Sequence, residues 1–251
     1  GGAGRGGVAD VDRAAGAGVQ QERVLYPLEG HRQRLLGAVR AGGNLPEALL
    51  DERRALGHAA RIRELNDRLD GITVLAGIEC DIRADGSMDL ADDCLAQLDI
   101  VIASIHSGFN QDAGQMTDRL LRAVACPWVD VLGHPTGRLI LKREPHKGDM
   151  TRVIEAAAAA GVAMEINSQI DRLDLDDLHA RRAREAGCRI VISSDAHSAG
   201  ALGQLRWGVT VARRAWLSPA DVLNTRPVDE FRRALRSSSA KATVDTSEGT
   251  R

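Results

Sequence analysis

Ile190-Val191-Ile192-Ser193-Ser194-Asp195-Ala196-His197-Ser198 is the stretch that decides how the rest of the chain is read. Its run of Ile and Val marks a strand buried on both faces, and the run stops at a carboxylate and an imidazole two positions apart. A carboxylate is a hard anionic ligand and neutral imidazole is the commonest nitrogen ligand. An Asp-x-His at a strand's carboxyl end therefore suits a divalent metal that performs hydrolysis.

The same construction recurs upstream. Thr73 to Ile78 ends in Glu79, Asp99 to Ile105 in His106, Val129 to Gly133 in His134, and Gly161 to Ile166 in Asn167. From Glu79 the steps are 27 residues to His106, 28 to His134, 33 to Asn167 and 28 to Asp195. A strand, a crossover helix and two loops need about that length, so each step is one βα unit. Polar groups at successive parallel strand ends converge when the sheet closes or nearly closes, and the carboxyl ends of such barrels carry the site. Any one of these groups alone could belong to a surface turn; five in series point to a site.

The bulk numbers fit an ordinary α/β domain. The 251 residues are enough for one barrel, and hydrophobic and charged fractions of 43% and 27% are those of a packed globular chain. A net charge of −2 excludes a global attraction to nucleic acid or to an anionic membrane, so phosphate binding must come from local arginines or from metal. Only three of the 33 basic residues are lysines, which fits the codon bias of a GC-rich genome. Cys80, Cys94, Cys126 and Cys188 lack C-x-x-C spacing, which predicts free thiols in a reducing, cytoplasmic setting. No apolar run has the roughly 20 residues of a membrane helix, and no signal-peptide core is visible at the start.

Between the strands the spacing predicts helices near 45–69, 90–98, 116–124, 153–160, 202–216 and 223–235. Thr151 or Asp149 is expected to cap the fourth of these, the helix that Gly161 ends, and Asp174, Asp176 and Asp177 to serve as caps and dipole partners of the helix after Asn167. Arg119 and Arg122 are expected on a solvated helix face, His58 and His179 on helix surfaces, and His146 in a loop. Asp81 alternates with Glu79 and can share the site face or satisfy a turn. Residues 1–36, rich in Gly and Arg, and the Ser/Thr/Ala-rich 236–251 are expected to be disordered, leaving 37–235 as the folded domain.

Taken together, Gly77-Ile78-Glu79-x-Asp81-Ile82, Ser104-Ile105-His106-Ser107, Gly133-His134-Pro135-Thr136-Gly137-Arg138, Glu165-Ile166-Asn167 and Ser194-Asp195-Ala196-His197-Ser198 resemble the PHP (polymerase and histidinol phosphatase) domain. The resemblance is to the carboxyl-terminal PHP domain of bacterial family X DNA polymerases in particular. It implies a distorted (β/α)7 TIM-like barrel, the PHP fold, that holds up to three divalent metals, Mn2+ or Zn2+, and hydrolyses phosphoesters. For polymerase-linked members it implies 3′-5′ exonuclease action on single-stranded or gapped DNA ends, sometimes with abasic-site cleavage, and no nucleotide cofactor or membrane. By motif position it makes Glu79, His106, His134, Asp195 and His197 metal ligands, the first four being close to the chemistry, and Asn110, Arg138, Asn167 and Arg172 substrate-binding candidates.

One departure accompanies the match. Family members open with a strand ending in Asp-x-His-x-His and a second ending in Asp-His, and neither motif is visible; His31 is the nearest histidine. The barrel is therefore expected to be incomplete at its first strands, which would expose sheet edges. A histidinol-phosphatase-like enzyme for small phosphate esters and a PHP remnant without catalysis stay open as alternatives.

Overall fold

The computed structural model describes residues 52–238 in full and, as backbone, 21–25 and 35–40. Its strands are β1 (Gln21–Leu25), β2 (Leu35–Arg40), β3 (Val74–Asp81), β4 (Ile100–Ser104), β5 (Val131–Leu132), β6 (Ala163–Asn167) and β7 (Ile190–Ser193). The helices are α1 (Glu52–Asn66), α2 (Asp92–Leu95), α3 (Ala113–Ala125), α4 (Met150–Ala160), α5 (Asp177–Glu185), α6 (Leu205–Arg214) and α7 (Val228–Ala234). All seven strands lie in one sheet in sequence order. Pairing is parallel from β2 to β7, as short strands joined by helices require. β1 runs antiparallel to β2, and it returns to within 8 Å (Cα–Cα) of β7, so the sheet rolls toward a distorted barrel.

The sequence reading placed no element at residues 21–25, yet β1 forms there and the described sheet reaches seven strands. The rest of the glycine-rich start, including His31, and the tail from 239 lie outside the described residues. Residues 236–238 are packed: Arg236 donates to the carbonyls of Val124, Ala125 and Cys126, and Ser237 donates through N and Oγ to the buried Asp130 carboxylate.

Strand alternation sorts the side chains into two cores. Ala76, Ile78, Val101, Ala103, Leu132, Met164, Ile190 and Ile192 face the helices and pack with Leu120, Ile154 and Val211. Leu75, Ile100, Ile102, Val131, Ala163 and Val191 face the other way and pack with Leu223, Phe231 and Leu235. On that second face, each strand turns polar toward its carboxyl end: Leu75 gives way to Glu79, Ile102 to Ser104, Ala163 to Glu165 and Asn167, and Val191 to Ser193. An apolar plug at one end and a buried polar layer at the other follow directly from that order.

Local signals set the helix ends. Asp112 and Gln115 form a reciprocal capping box at α3, Asp149 accepts from the amides of Thr151 and Arg152 at α4, and Gly161 closes α4 in the left-handed conformation. Asp176 caps α5 through the His179 amide. Asp174 does not serve the helix; it is fully buried (0% exposed), and its carboxylate accepts from the Thr136 amide at 3.0 and 3.2 Å.

Two other expectations need correction. Arg119 is not on a solvated face: it is 2% exposed and donates to the carbonyls of Ile82 and Ser107 and to Gln111 Oε1. Its guanidinium ties the loops after β3 and β4 together, a role the helical spacing does not reveal. His58 is buried in α1 rather than lying on its surface. His146 lies in a loop as expected, and there it is buried, its ring bridging the Pro135 carbonyl and the Gly148 amide. The four cysteines are free, with Cys80, Cys94 and Cys188 buried. Among the described residues no helix is long and apolar enough to cross a membrane.

Candidate metal centre

Glu79 leaves the second face of β3 beside His106, two residues past β4, and His134, two residues past β5. Their ligand atoms lie within 4.8 Å of one another. His134 Nε2 is 3.0 Å and His106 Nε2 3.3 Å from Glu79 Oε1, and the two rings meet edge to face at 5.1 Å. With metal–ligand bonds near 2.1 Å, donor atoms of a tetrahedral shell stand about 3.4 Å apart, so this trio fits one divalent ion. The side chains of Glu79 and His134 are fully buried and that of His106 is 17% exposed, which leaves His106 on the open side.

The trio has outer supports. His106 Nδ1 meets the Asp81 carboxylate while Nε2 faces Glu79, the arrangement in which a carboxylate selects the ring tautomer and orients the ligating nitrogen. Asp81 thus shares the site face, the first of the two roles open to it in the sequence. His134 has φ 28°, a region that a residue with a Cβ rarely adopts, and its amide donates to Glu165 Oε2 at 2.6 Å. Gly133 makes room before it, because a Cβ there would stand 2.3 Å from Ser104 Oγ.

Asp195 and His197 stand outside this trio, on the β7 side. Asp195 is 1% exposed with φ 47°; its Oδ2 accepts from Asn167 Nδ2 at 2.9 Å and lies 3.7 Å from Arg172 Nε. His197 Nδ1 lies 2.7 Å from the Asp195 carbonyl and 3.4 Å from Gln169 Nε2, which also donates to that carbonyl at 2.7 Å.

The substrate candidates divide by burial. Asn110 is exposed in the loop after His106. Arg172 is 8% exposed, and its Nε and Nη1 have no hydrogen-bond partner within the protein. Arg138 is turned onto the neighbouring loop instead, donating to the carbonyls of Arg172 and Leu173 and lying 3.4 Å from Asp176 Oδ2. Asn167 is fully buried; Nδ2 reaches Asp195 and Glu165, and Oδ1 accepts from the Gln169 amide at 3.0 Å. Arg143 stacks 3.7 Å over the Phe109 ring, and burial together with the nearby Arg172 charge lowers its pKa, so two cations crowd this side of the site.

Two carboxyls beneath the loops titrate oppositely. Burial pushes Asp174 up to about 6, against the hydrogen bonds from Thr136 and the charge of Arg138. Burial also works on Asp176, but hydrogen bonds from the His179 ring and amide and the charge of Arg138 outweigh it and hold the carboxyl at about 2. Sequence reading assigned no site role to Glu165 or Gln169, and gave Arg119 to solvent. For Glu165 a signal existed: a carboxylate two positions before Asn167 in a buried strand must find donors.

No family model matches the chain. Over 178 residues (71% of the chain) it is 41% identical to the DNA polymerase/3'-5' exonuclease PolX of Bacillus subtilis, of which it spans only 31%. It is 30% identical over 180 residues to a probable phosphatase of Thermoanaerobacter sp., covering 68% of this chain and 71% of that one, and 31% identical over 179 residues to a probable phosphatase of Shewanella sediminis, covering 68% and 70%. A solved histidinol phosphate phosphatase from Lactococcus lactis, complexed with zinc, L-histidinol and phosphate, aligns at 13% identity and a TM-score of 0.47 over 74% of this chain and 82% of that one. With the PolX and phosphatase relatives at 30–41% identity and a Glu-His-His centre at the strand ends, the chain belongs to the PHP domain family of metal-dependent phosphoesterases.

Proposed function

We propose that the chain removes nucleotides from DNA 3′ ends as a metal-dependent 3′-5′ exonuclease, with Mn2+ or Zn2+ held by Glu79, His106 and His134 and with Asp195 and His197 as the ligands on the β7 side. The observation that carries the substrate class is the 41% identity to a relative named as a 3'-5' exonuclease, against 30–31% to those named as phosphatases. A cation held by these residues would supply Lewis acidity toward the scissile phosphoryl group. The protein's part is to bind and orient. Arg172, whose buried Nη1 makes no hydrogen bond within the protein and whose Nε faces Asp195 Oδ2 at 3.7 Å, is suited to a phosphate oxygen beside Asp195, and Arg143 adds charge to the same side. Arg138 braces the Arg172 loop through its carbonyls, Asn167 holds Asp195, and Asn110 stands on the rim where a strand would enter.

The test is nucleotide release from 3′-labelled single-stranded DNA by the purified chain with Mn2+, run beside phosphate release from histidinol phosphate, with Asp195→Asn as control. Mononucleotide release that depends on metal and disappears in the variant is the expected result. Phosphate release with intact DNA would transfer the assignment to a small-molecule phosphatase, and a folded chain that turns over neither would be a PHP domain without catalysis.

A further inference from the structure

We propose that Glu165 is a positioning residue that sets His134 for metal binding and, through Asn167, ties that ligand to Asp195. Glu165 sits on β6 with no exposed surface, and it is not a member of the Glu79–His106–His134 trio. Its carboxylate gathers donors from three strand ends: the His134 amide at 2.6 Å, Ser193 Oγ, and Asn167 Nδ2 at 3.4 Å. The same Asn167 nitrogen is 2.9 Å from Asp195 Oδ2, so one amide group lies between the two carboxylates.

The His134 amide is the informative contact. β5 ends at Leu132, and the Gly133 amide makes the last bond to β4, at 2.8 Å to the Ala103 carbonyl. One residue later the chain has left the sheet, turned into φ 28°, and found a side-chain acceptor from the next strand. A hydrogen bond of that length holds a peptide in a conformation it would otherwise leave. With the peptide released, ψ and φ relax and the imidazole swings off Glu79 Oε1, now 3.0 Å from Nε2. Glu165 therefore acts on the metal through His134 without touching it.

The inference rests on reading the trio as the metal site. The experiment is metal titration of the full chain and of Glu165→Gln, by chelator competition with Mn2+ and Zn2+, together with amide hydrogen exchange at His134. Gln offers one carbonyl acceptor in place of two carboxylate oxygens, so the three donors compete for it and the hold on the His134 amide weakens. The expected result is a folded variant whose Kd for metal rises by about 10- to 100-fold, with faster exchange at His134 and unchanged exchange at Ala103 in the neighbouring strand. Equal Kd values in a folded variant, or a wild-type His134 amide that exchanges like an exposed loop amide, overturn the proposal. Wild type that binds no metal would instead sink the reading of the trio. Should Glu165→Gln fail to fold, Ser193→Ala removes one donor and leaves His134 intact; Kd and His134 exchange must then move together, and a shift in one alone overturns the proposal.

Discussion

Replacing Asp174 by Asn should stabilise the protein above neutral pH and leave it unchanged in acid. Asp174 is completely buried and its carboxyl titrates at about 6 instead of its ordinary 3.8. The folded state therefore holds the proton more tightly than the unfolded chain does. Below pH 3.8 both states are protonated and the group contributes no pH-dependent cost; between 3.8 and about 6 stability falls as pH rises, and above about 6 the whole loss is present. At about 1.4 kcal/mol per pH unit the loss comes to about 3 kcal/mol, a sizeable part of the 5–15 kcal/mol that holds a typical domain together (roughly). Asn keeps an acceptor for the Thr136 amide and removes the buried charge. Urea unfolding of wild type and variant at steps from pH 4 to 8 isolates the group, because other titrations cancel in the difference. The variant should gain up to about 3 kcal/mol by pH 8 and nothing near pH 4. A difference that stays flat with pH, or that favours wild type as pH rises, would refute the account of Asp174.

Asp81→Ala should weaken metal binding by about 10- to 100-fold with little effect on folding, since it removes the carboxylate that orients His106 while lying at the surface; an unchanged Kd in a chelator competition would remove Asp81 from the site. Gly208→Ala should cost about 1–3 kcal/mol, because its Cβ would stand 2.1 Å from Ser168 Oγ and 2.7 Å from Ile192 Cγ2 and would push α6 off the strands; a melting temperature equal to wild type would show that α6 has slack.

The strand ends were legible because each strand is a run of Ile, Val and Ala broken by one polar residue at a fixed period, and burial enforces that pattern locally. Glu79, His106 and His134 come together as that period implies, with Asp195 and His197 to one side. The supports were not legible. Asp174, Asp176 and Asp177 look alike before a helix, and only the amide of Thr136, 38 residues away, decides which one is buried. Arg119 sits at a position that helical spacing gives to solvent, but the loops after β3 and β4 fold over it and leave their carbonyls to it. In β1, Gln21-Glu22-Arg23-Val24-Leu25 shows no alternation, and its place comes from pairing with β2. Arg138 and Asn167 look like substrate groups by position, yet their polar atoms are engaged within the protein.

The most direct test of the centre is anomalous diffraction at the manganese or zinc edge from crystals of the chain grown with that metal. One peak bounded by Glu79, His106 and His134 is the predicted result, with any further peak toward Asp195 and His197. Crystals saturated with metal that show density elsewhere and none inside the trio would contradict the assignment.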